Sequence, residues 1–428
     1  MTQRNIIQRR RVTYVGEESA FGTAPSGSFP NAMTKGVFRD AEIGLDPQET
    51  MLDVDDESIR RQDAVHPVHG LQSDSTTVSL GRLMRATPSA GLLISGATAV
   101  ESVDRILLKH IFGTEHAAVG TTVATGTSST VFDATSASNI KKGSFVAVTI
   151  SGTPEWAKVT NISTATITVT PPFSGTPSTS AVVRNLYTYA PAENHSMSLS
   201  VYRGFVADSG TEPEYIVNGC YGSAAFDFPV GQIPNYTVNL NGTAFTGPAA
   251  SGSIDTATTV SEAMGAPVVV KGAKLYIATS AISRATAVAY EKFSLEYNNQ
   301  WEKIVDGGAA QAVAGVVNTA GRPRAVKGMV TLRFDADAYD KSTSNGFGAD
   351  DVFRMALVIT YGSGSTLSHW IVEIPRARIT AKPKLTKVGE RLYMDLEFSG
   401  QTDDQVTIAS ETGDDLARCY APVRFAFG

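Results

Sequence analysis

The chain has 428 residues, enough to bury a large core, and its formal net charge of −6 argues against a general nucleic-acid binder, which would carry a basic excess. Only 18% of the residues are charged and 38 are glycine, a composition that favours a β-rich protein with many turns. No stretch has the apolar length of a membrane span, and no apolar run follows the basic N-terminal segment as it would in a signal peptide. We therefore expect Cys220 and Cys419 to be free buried thiols in a protein made in a reducing cytoplasm.

The first part of the chain contains an arm and then an acidic run. Residues 1–30 are basic and then rich in Gly, Pro and Ser, which predicts an extended arm with few anchors and room for one short strand. Residues 39–63 form the most acidic run, and their apolar residues are too sparse for a core strand. The pattern predicts a long acidic loop or hairpin over residues 36–70. Two interpretations are about equally supported: a solvated loop, or a contact with another subunit.

Alternate acidic residues within this run resemble a calcium-binding loop in part. Asp53, Asp55 and Glu57 have the alternate spacing, but Ser58 stands where such a loop needs a Gly for its turn. No Glu follows at the twelfth position of the loop. We therefore predict no metal site here.

One segment has the period of an amphipathic helix. Residues 75–85 read as a strand, and residues 98–112 then place Leu107 and Ile111 on a wide apolar stripe. Gly113 is expected to end this helix. A single amphipathic helix among strands must pack its stripe against a sheet.

Residues 118–188 differ in composition from their surroundings. They are dense in Thr, Ser, Ala and Val, and five short strands are predicted at intervals typical of a small barrel, the last of them in AVVRNLYTY. Insertion of such a module is tolerated where its ends lie close together at a loop tip. We predict a small inserted β-barrel domain, with Trp156 in its core.

The stretch YGSAAFDFPVGQIPNYTVNLNG, residues 221–242, has the clearest hairpin pattern. Pro229, Gly231 and Pro234 make a corner that neither strand can cross. An apolar row is predicted to face the core, and a row of short polar side chains is predicted to face away from it. The apolar row is Phe226, Phe228, Tyr236, Val238 and Leu240, and the polar row is Asn235, Thr237, Asn239 and Asn241.

No catalytic, cofactor-binding or metal-binding constellation is recognisable in the sequence. The glycines of YGSGST have no phosphate-loop Lys and precede a predicted strand, and the six histidines have no Ser or Cys partner at a recognisable spacing. The expectation is a protein that is not an enzyme and that needs no cofactor.

The order of these elements resembles the major tail tube proteins of long-tailed bacteriophages. The resemblance rests on GEESAFGTAP in the arm, the acidic loop, the strand before a single helix, the inserted module, the corner at residues 228–234 and the strand with its Asn-Asn turn at residues 293–299. It implies a mainly β fold, a sandwich or barrel of two antiparallel sheets with one flanking α-helix, plus the small inserted barrel. It also implies a structural virion protein, made in the host cytoplasm, that stacks as hexameric rings into a hollow tube.

The resemblance assigns roles to the two unusual segments. The acidic run is predicted to make the contact between rings, through Asp53, Asp55, Asp56 and Glu57, with Arg60 and Arg61 or the N-terminal arginines as cationic partners. The polar row of Asn235, Thr237, Asn239 and Asn241 is predicted to line the lumen or a sheet contact between subunits. Viral DNA would pass this lining without specific binding, because the row offers no cation to phosphate.

The implied domain division has three parts. Residues 1–117 and 189–428 form the tail tube domain, and residues 118–188 form the insert on the tube exterior. Expected partners are other copies of the chain and other phage tail proteins, with no membrane. An alternative is a β-rich surface adhesin or carbohydrate-binding virion protein, although Trp156, Trp301 and Trp370 are too scattered to form an aromatic binding platform.

Overall fold

Strands dominate the protein, as the alternating patterns predict. In the computed structural model the described residues are 6–23, 33–36, 38–43, 51–55, 65–69, 76–85, 103–117, 119–207, 212–251, 260–261, 273–285, 287–305, 313–318, 324–333, 351–362, 364, 367–388 and 390–428.

The elements before the inserted barrel are β1 (Ile6–Glu17), β2 (Thr34–Gly36), β3 (Asp40–Ile43), β4 (Met51–Asp55), β5 (Val65–His69), β6 (Thr76–Leu83), α1 (Val103–Phe112) and β7 (Gly113–His116). The barrel strands are β8 (Thr121–Gly126), β9 (Val131–Ala134), β10 (Phe145–Ile150), β11 (Thr153–Ser163), β12 (Thr166–Thr170) and β13 (Val182–Asn185).

After the barrel come β14 (Tyr187–Pro191), β15 (Leu199–Ala207), β16 (Glu212–Pro229), β17 (Asn235–Gly242), β18 (Ala244–Ser251), β19 (Val260–Ser261), β20 (Lys274–Ala278), β21 (Ala287–Val288), β22 (Tyr290–Asn298), β23 (Glu302–Val305) and β24 (Val313–Val317). The last elements are β25 (Ala325–Arg333), β26 (Val352–Tyr361), β27 (Ser368–Ile379), β28 (Lys384–Val388), β29 (Arg391–Gln401), α2 (Gly413–Cys419) and β30 (Arg424–Phe427).

The main body is an almost wholly antiparallel sheet that folds into two layers around one apolar core. The first layer runs in the order β3, β6, β17, β16, β22, β25, β29, β28. The second layer runs β20, β26, β27, β30, β14, β7, and β27 also pairs with β29 to join the layers. The rings of Phe226 in the first layer and Phe425 in the second lie 4.2 Å apart, so the layers pack face to face. The prediction of two packed antiparallel sheets is confirmed.

The hairpin predicted at residues 221–242 is present. Phe226 of β16 lies directly opposite Tyr236 of β17, and the two rings are 5.6 Å apart. Gly231 in the corner has a φ of 75°, in the left-handed region that favours glycine. The whole predicted apolar row is buried in the main core.

Helix α1 lies against this core with both flanks of its apolar stripe buried. It ends at Phe112, and Gly113 follows with a φ of 88°, which confirms the predicted stop. The predicted start at residue 98 lies outside the described residues. A second helix, α2, was not expected, because its seven residues are too few to show a helical period.

The inserted barrel is closed by six strands, in the order β10, β11, β12, β9, β8, β13, and the expectation of five was wrong. Strand β8 was not predicted because its sequence, TTVATG, has no apolar alternation: only Val123 lies in the barrel core. The predicted strand AVVRNLYTY is in fact two strands that separate at Leu186. Its first half closes the barrel as β13, and its second half joins the main sheet as β14.

The barrel is seated on the outward face of the second layer. Phe145, Trp156 and Leu186 pack there against Tyr276 of β20 and Ile371 of β27. The rings of Trp156 and Tyr276 are 5.8 Å apart, and Trp156 is 4% exposed. Trp156 is therefore buried as predicted, but in the seat between barrel and body and not in the barrel interior.

Four buried charged side chains lie at the contact between the barrel and the main body, which we call the seat of the barrel. Lys158 of β11 has its Nζ 2.7 Å from Glu373 Oε1 and 2.9 Å from Asp403 Oδ2. The same two carboxylates accept from Arg424 of β30, each at 2.8 Å. Burial alone disfavours the charged form of Asp403, but Arg424 and Lys158 outweigh it and hold the pKa of Asp403 below its usual range. The barrel is thus fixed to the body by paired charges as well as by apolar contact.

Candidate functional surfaces

The polar row of the hairpin lies on the outward face of the first layer. Along β17 these residues alternate with the buried apolar row. Asn235 and Thr237 are half-buried, and Asn239 and Asn241 are exposed. Ser79 of β6 donates to Asn239 Oδ1 at 3.1 Å, so the polar face continues onto the neighbouring strand. The structure brings all four residues together, and their assignment to a lumen or to a subunit contact stays a prediction.

A buried triad holds these strands to the helix. The Tyr236 hydroxyl donates to Asp104 Oδ1 at 2.5 Å, and Arg82 Nε donates to the same oxygen at 3.1 Å. Asp104 stands in the first turn of α1, where a carboxylate also favours the helix dipole. Burial, and then the charge of Asp104, raises the pKa of Tyr236 well above its usual range, so the phenol stays neutral. Strands β6 and β17 are therefore fixed in place directly under the polar face.

The same face continues across β16, β22, β25 and β29 as a shallow hollow of about 480 Å³. Asn235 and Thr237 line one end of it. Its charged lining consists of three carboxylates and two lysines: Asp227, Glu296, Glu397, Lys292 and Lys327. We name this surface, from the row on β17 across the hollow to Lys384 on β28, the polar face.

The charged part of the polar face is not predictable from the local sequence pattern. Its members come from strands that are far apart in the chain and meet only through sheet register. One signal was present: Lys292, Ser294 and Glu296 alternate with the core row within the strand YEKFSLEYN. That alternation indicates a second wet face but does not show which strands border it.

The lysines of the polar face stand beside carboxylates. Lys292 Nζ lies 3.2 Å from Asp227 Oδ1, as an ion contact with poor hydrogen-bond alignment. Lys384 Nζ of β28 lies 3.2 Å from Glu397 Oε1. Lys327 lies directly opposite Glu296 in the pairing of β25 with β22. The row on β17 itself offers no cation, whereas the rest of the polar face carries lysines that are matched by acids.

The predicted ring-contact residues are described only in part. Asp53 and Asp55 lie in β4, which pairs with β5 as a separate two-stranded hairpin. Asp56, Glu57 and the basic pair Arg60 and Arg61 lie outside the described residues, as do side-chain details of β4. Their role stays a prediction.

The string GEESAFGTAP contains an anchor that the sequence argument did not identify. The carboxylate of Glu18 accepts from the backbone N–H groups of Gly22 and Gly219, at 2.7 and 2.8 Å. It also accepts from the hydroxyls of Ser198 and Ser200. Residues 6–17, within the predicted arm, form β1, which pairs with β15. This part of the chain is thus held firmly to the main sheet.

The described residues show little reactive chemistry. Cys220 and Cys419 are free and buried, as expected, and burial raises the pKa of the Cys220 thiol well above its usual range. Burial likewise lowers the pKa of His195 to about 3 and that of His369 to about 4. Within the described segments no group of three or more His, Cys, Asp or Glu side chains is placed to hold a metal ion. Nor is any helix among them long and apolar enough to cross a membrane.

Comparison with known proteins agrees with the architecture. No curated protein matches the chain in sequence. A family model described as phage tail tube protein matches residues 8–402, nearly the whole length, which include the first layer, the inserted barrel and every strand of the second layer except β30. The resemblance drawn from the order of elements is thereby confirmed, and the place of the protein is the tail of a bacteriophage virion. The chain belongs to the phage tail tube protein family.

Proposed function

We propose that copies of this chain form hexameric rings that stack into the hollow tail tube, and that viral DNA passes through its lumen during ejection. The observation that carries the proposal is the contrast between the two outward faces of the main body. The first layer presents the polar face, whereas the barrel covers the second. Because the layers pack face to face, these surfaces lie on opposite sides of the core. The polar face then lines the lumen while the barrel lies on the tube exterior.

The proposed division into a tail tube domain, residues 1–117 and 189–428, and an insert, residues 118–188, has support from the strands that flank the barrel. Strand β7 precedes the barrel and β14 follows it, and the two pair with each other in the main sheet. The chain therefore leaves and re-enters the body at one place, which is the geometry that tolerates an insertion. Tyr187 and Thr188 already belong to β14.

The contact between rings is proposed to involve the acidic segment, with Asp53, Asp55, Asp56 and Glu57 facing Arg60 and Arg61 of another copy. Strands β4 and β5 pair only with each other, as a hairpin separate from the main sheet, which supports the proposal that this segment extends toward another ring. Paired charges at such a contact would orient the rings and weaken with added salt. Other tail proteins are the expected partners at the ends of the tube.

Negative-stain electron microscopy of the purified protein tests the assembly. We expect filaments with a central channel from the native chain. The variant Asp53→Asn/Asp55→Asn/Asp56→Asn is expected to form rings or short stacks in place of long tubes, because the attraction between rings is lost.

A matched control removes three carboxylates elsewhere: Asp133→Asn/Glu193→Gln/Glu302→Gln, in the barrel, in a surface loop and in β23. It should form tubes of native length. Discrete particles from the native chain would argue against the tube and for the adhesin alternative. Normal tubes from the acidic-segment variant would refute only the ring contact.

A further inference from the structure

We propose that Asp227, Glu296 and Glu397 mask the lysines of the polar face and so prevent duplex DNA from binding there. This inference rests on the proposed function, in which the polar face lines the lumen. It adds the reason why a lining that contains lysine does not retain DNA.

Sheet register places a carboxylate beside each of these lysines. Asp227 lies opposite Ser294 on β22, which makes Lys292 its diagonal neighbour across the strands. Lys384 lies opposite Asp395 on β29, which makes Glu397 its diagonal neighbour. These two diagonals are the pairs with measured contacts of 3.2 Å. The third pair, Glu296 with Lys327, lies directly opposite.

The pairs are exposed enough to meet a nucleic acid. The side chains of Lys292 and Asp227 are 45% and 37% exposed, and those of Lys384 and Glu397 are 71% and 45% exposed. Such surface pairs contribute little to stability, so folding alone does not explain why three lysines on one face each have a carboxylate on the neighbouring strand. A role toward DNA that passes over the polar face explains this arrangement of lysines and carboxylates.

Charge compensation at this distance removes the main source of DNA affinity. Lysines bind DNA by neutralising phosphates and releasing the counterions condensed on them. A lysine and a carboxylate 3.2 Å apart lie well within the screening length of about 8 Å at physiological salt. A phosphate farther from the pair than this length therefore interacts with a nearly neutral pair. The lining of the hollow has one more carboxylate than lysine, which adds weak repulsion.

Repetition makes masking necessary. In a stacked tube every subunit would present the same three lysines to one DNA molecule. Weak contacts to a single long ligand act together, because each bound site raises the local concentration of the next. Even a small affinity per subunit would then hold DNA in the channel.

The test is to remove the carboxylates and keep the lysines, in the variant Asp227→Asn/Glu296→Gln/Glu397→Gln. Soluble subunits, cleared of tubes by ultracentrifugation, are titrated into a fluorescein-labelled DNA duplex of arbitrary sequence, and binding is followed by fluorescence anisotropy at several salt concentrations. We expect binding, with a slope of log affinity on log salt near −1.8, about 0.9 for each of Lys292 and Lys327, because Asp395 still lies opposite Lys384 in this variant. Native subunits and the control Asp133→Asn/Glu193→Gln/Glu302→Gln should bind far more weakly.

A second variant separates unmasked lysines from a general change in charge. Adding Lys292→Gln/Lys327→Gln/Lys384→Gln to the carboxylate variant should abolish the gained binding. If the triple variant does not fold, Asp227→Asn alone, which leaves Lys292 without its partner carboxylate, should still gain binding with a slope near −0.9. No gain over the control, or equally strong binding by native subunits, would overturn the inference. Microscopy of the same native preparation reports on tube formation separately, so a failure of masking leaves the proposed function standing.

Discussion

The carboxylate of Glu18 shows how one residue organises a stretch of chain. Its two oxygens accept from two backbone N–H groups and two serine hydroxyls that come from β15, β16 and its own turn. Phe21 in that turn packs beside Tyr221 and Trp301. Glu17 is the neighbouring acid in sequence, yet it pairs with Lys109 near the surface, at 2.8 Å. Which of two neighbouring acids is the anchor depends on the strands they meet.

Replacing Glu18 therefore tests the anchor against its neighbour. Glu18→Gln turns one acceptor oxygen into a donor and removes the charge, and we expect the free energy of unfolding to fall by about 2–3 kcal/mol. Glu17→Gln is the matched control and should cost less than about 1 kcal/mol, because its pair with Lys109 is partly exposed. Urea unfolding followed by tryptophan fluorescence measures both. Equal losses for the two variants would contradict the anchor.

At the scale of elements, the seat of the barrel depends on contacts that are remote in sequence. Lys158 of β11 and Asp403, which follows β29, are 245 residues apart and meet only where the barrel contacts the main body. A pattern search over residues 118–188 indicates a barrel because alternation and turns are local signals. It does not indicate the seat, because Phe145, Ala147 and Trp156 read simply as inward-facing residues.

Lys158→Met tests whether the buried charges fix this seat. The change leaves Glu373 and Asp403 to share Arg424 alone in a buried site, and we expect a loss of about 3–5 kcal/mol in unfolding free energy. Lys384→Met breaks an exposed pair with Glu397 and should cost less than about 1 kcal/mol. Thermal unfolding monitored by circular dichroism compares the two. A loss from Lys158→Met as small as that from Lys384→Met would show that apolar packing alone holds the barrel.

At the scale of the whole molecule, the two outward faces have opposite characters. One carries short polar side chains and matched charges, and the other is closed by the barrel. A protein that builds a tube around its cargo needs such a difference, because one side meets the channel and the other meets solvent. The orientation is a property of the complete sandwich and is not visible in either layer by itself.

Cysteine labelling tests this orientation in assembled tubes. The native thiols Cys220 and Cys419 are buried, so they contribute little background. Asn239→Cys on the polar face should react with a bulky maleimide in free subunits and be protected in tubes. Thr125→Cys, exposed on β8 of the barrel, is the control and should react in both states. Protection of Thr125→Cys with labelling of Asn239→Cys in tubes would reverse the proposed orientation.

Several features follow from sequence because their signals are local. The alternation of Phe226, Phe228, Tyr236 and Val238 with short polar residues predicts the central hairpin, and the structure confirms the hairpin and its buried row. The stripe through Leu107 and Ile111 predicts the helix and its end at Gly113. Strand β8 and helix α2 lack such signals, since one has a single inward apolar residue and the other has seven residues. Nothing in the sequence around Leu186 indicates that the chain passes from the barrel to the main sheet there.

The sequence by itself determined the β-rich class, the inserted barrel, the central hairpin with its polar row, and the order of elements that marks the family. These depend on side-chain periodicity and turn residues, which act over a few positions. The tertiary structure alone decided which lysines stand beside which carboxylates, where the barrel is seated, and that the polar face and the barrel lie on opposite sides of the core. Those features depend on register between strands that are far apart in the chain, and register is set only when the whole sheet closes around its core.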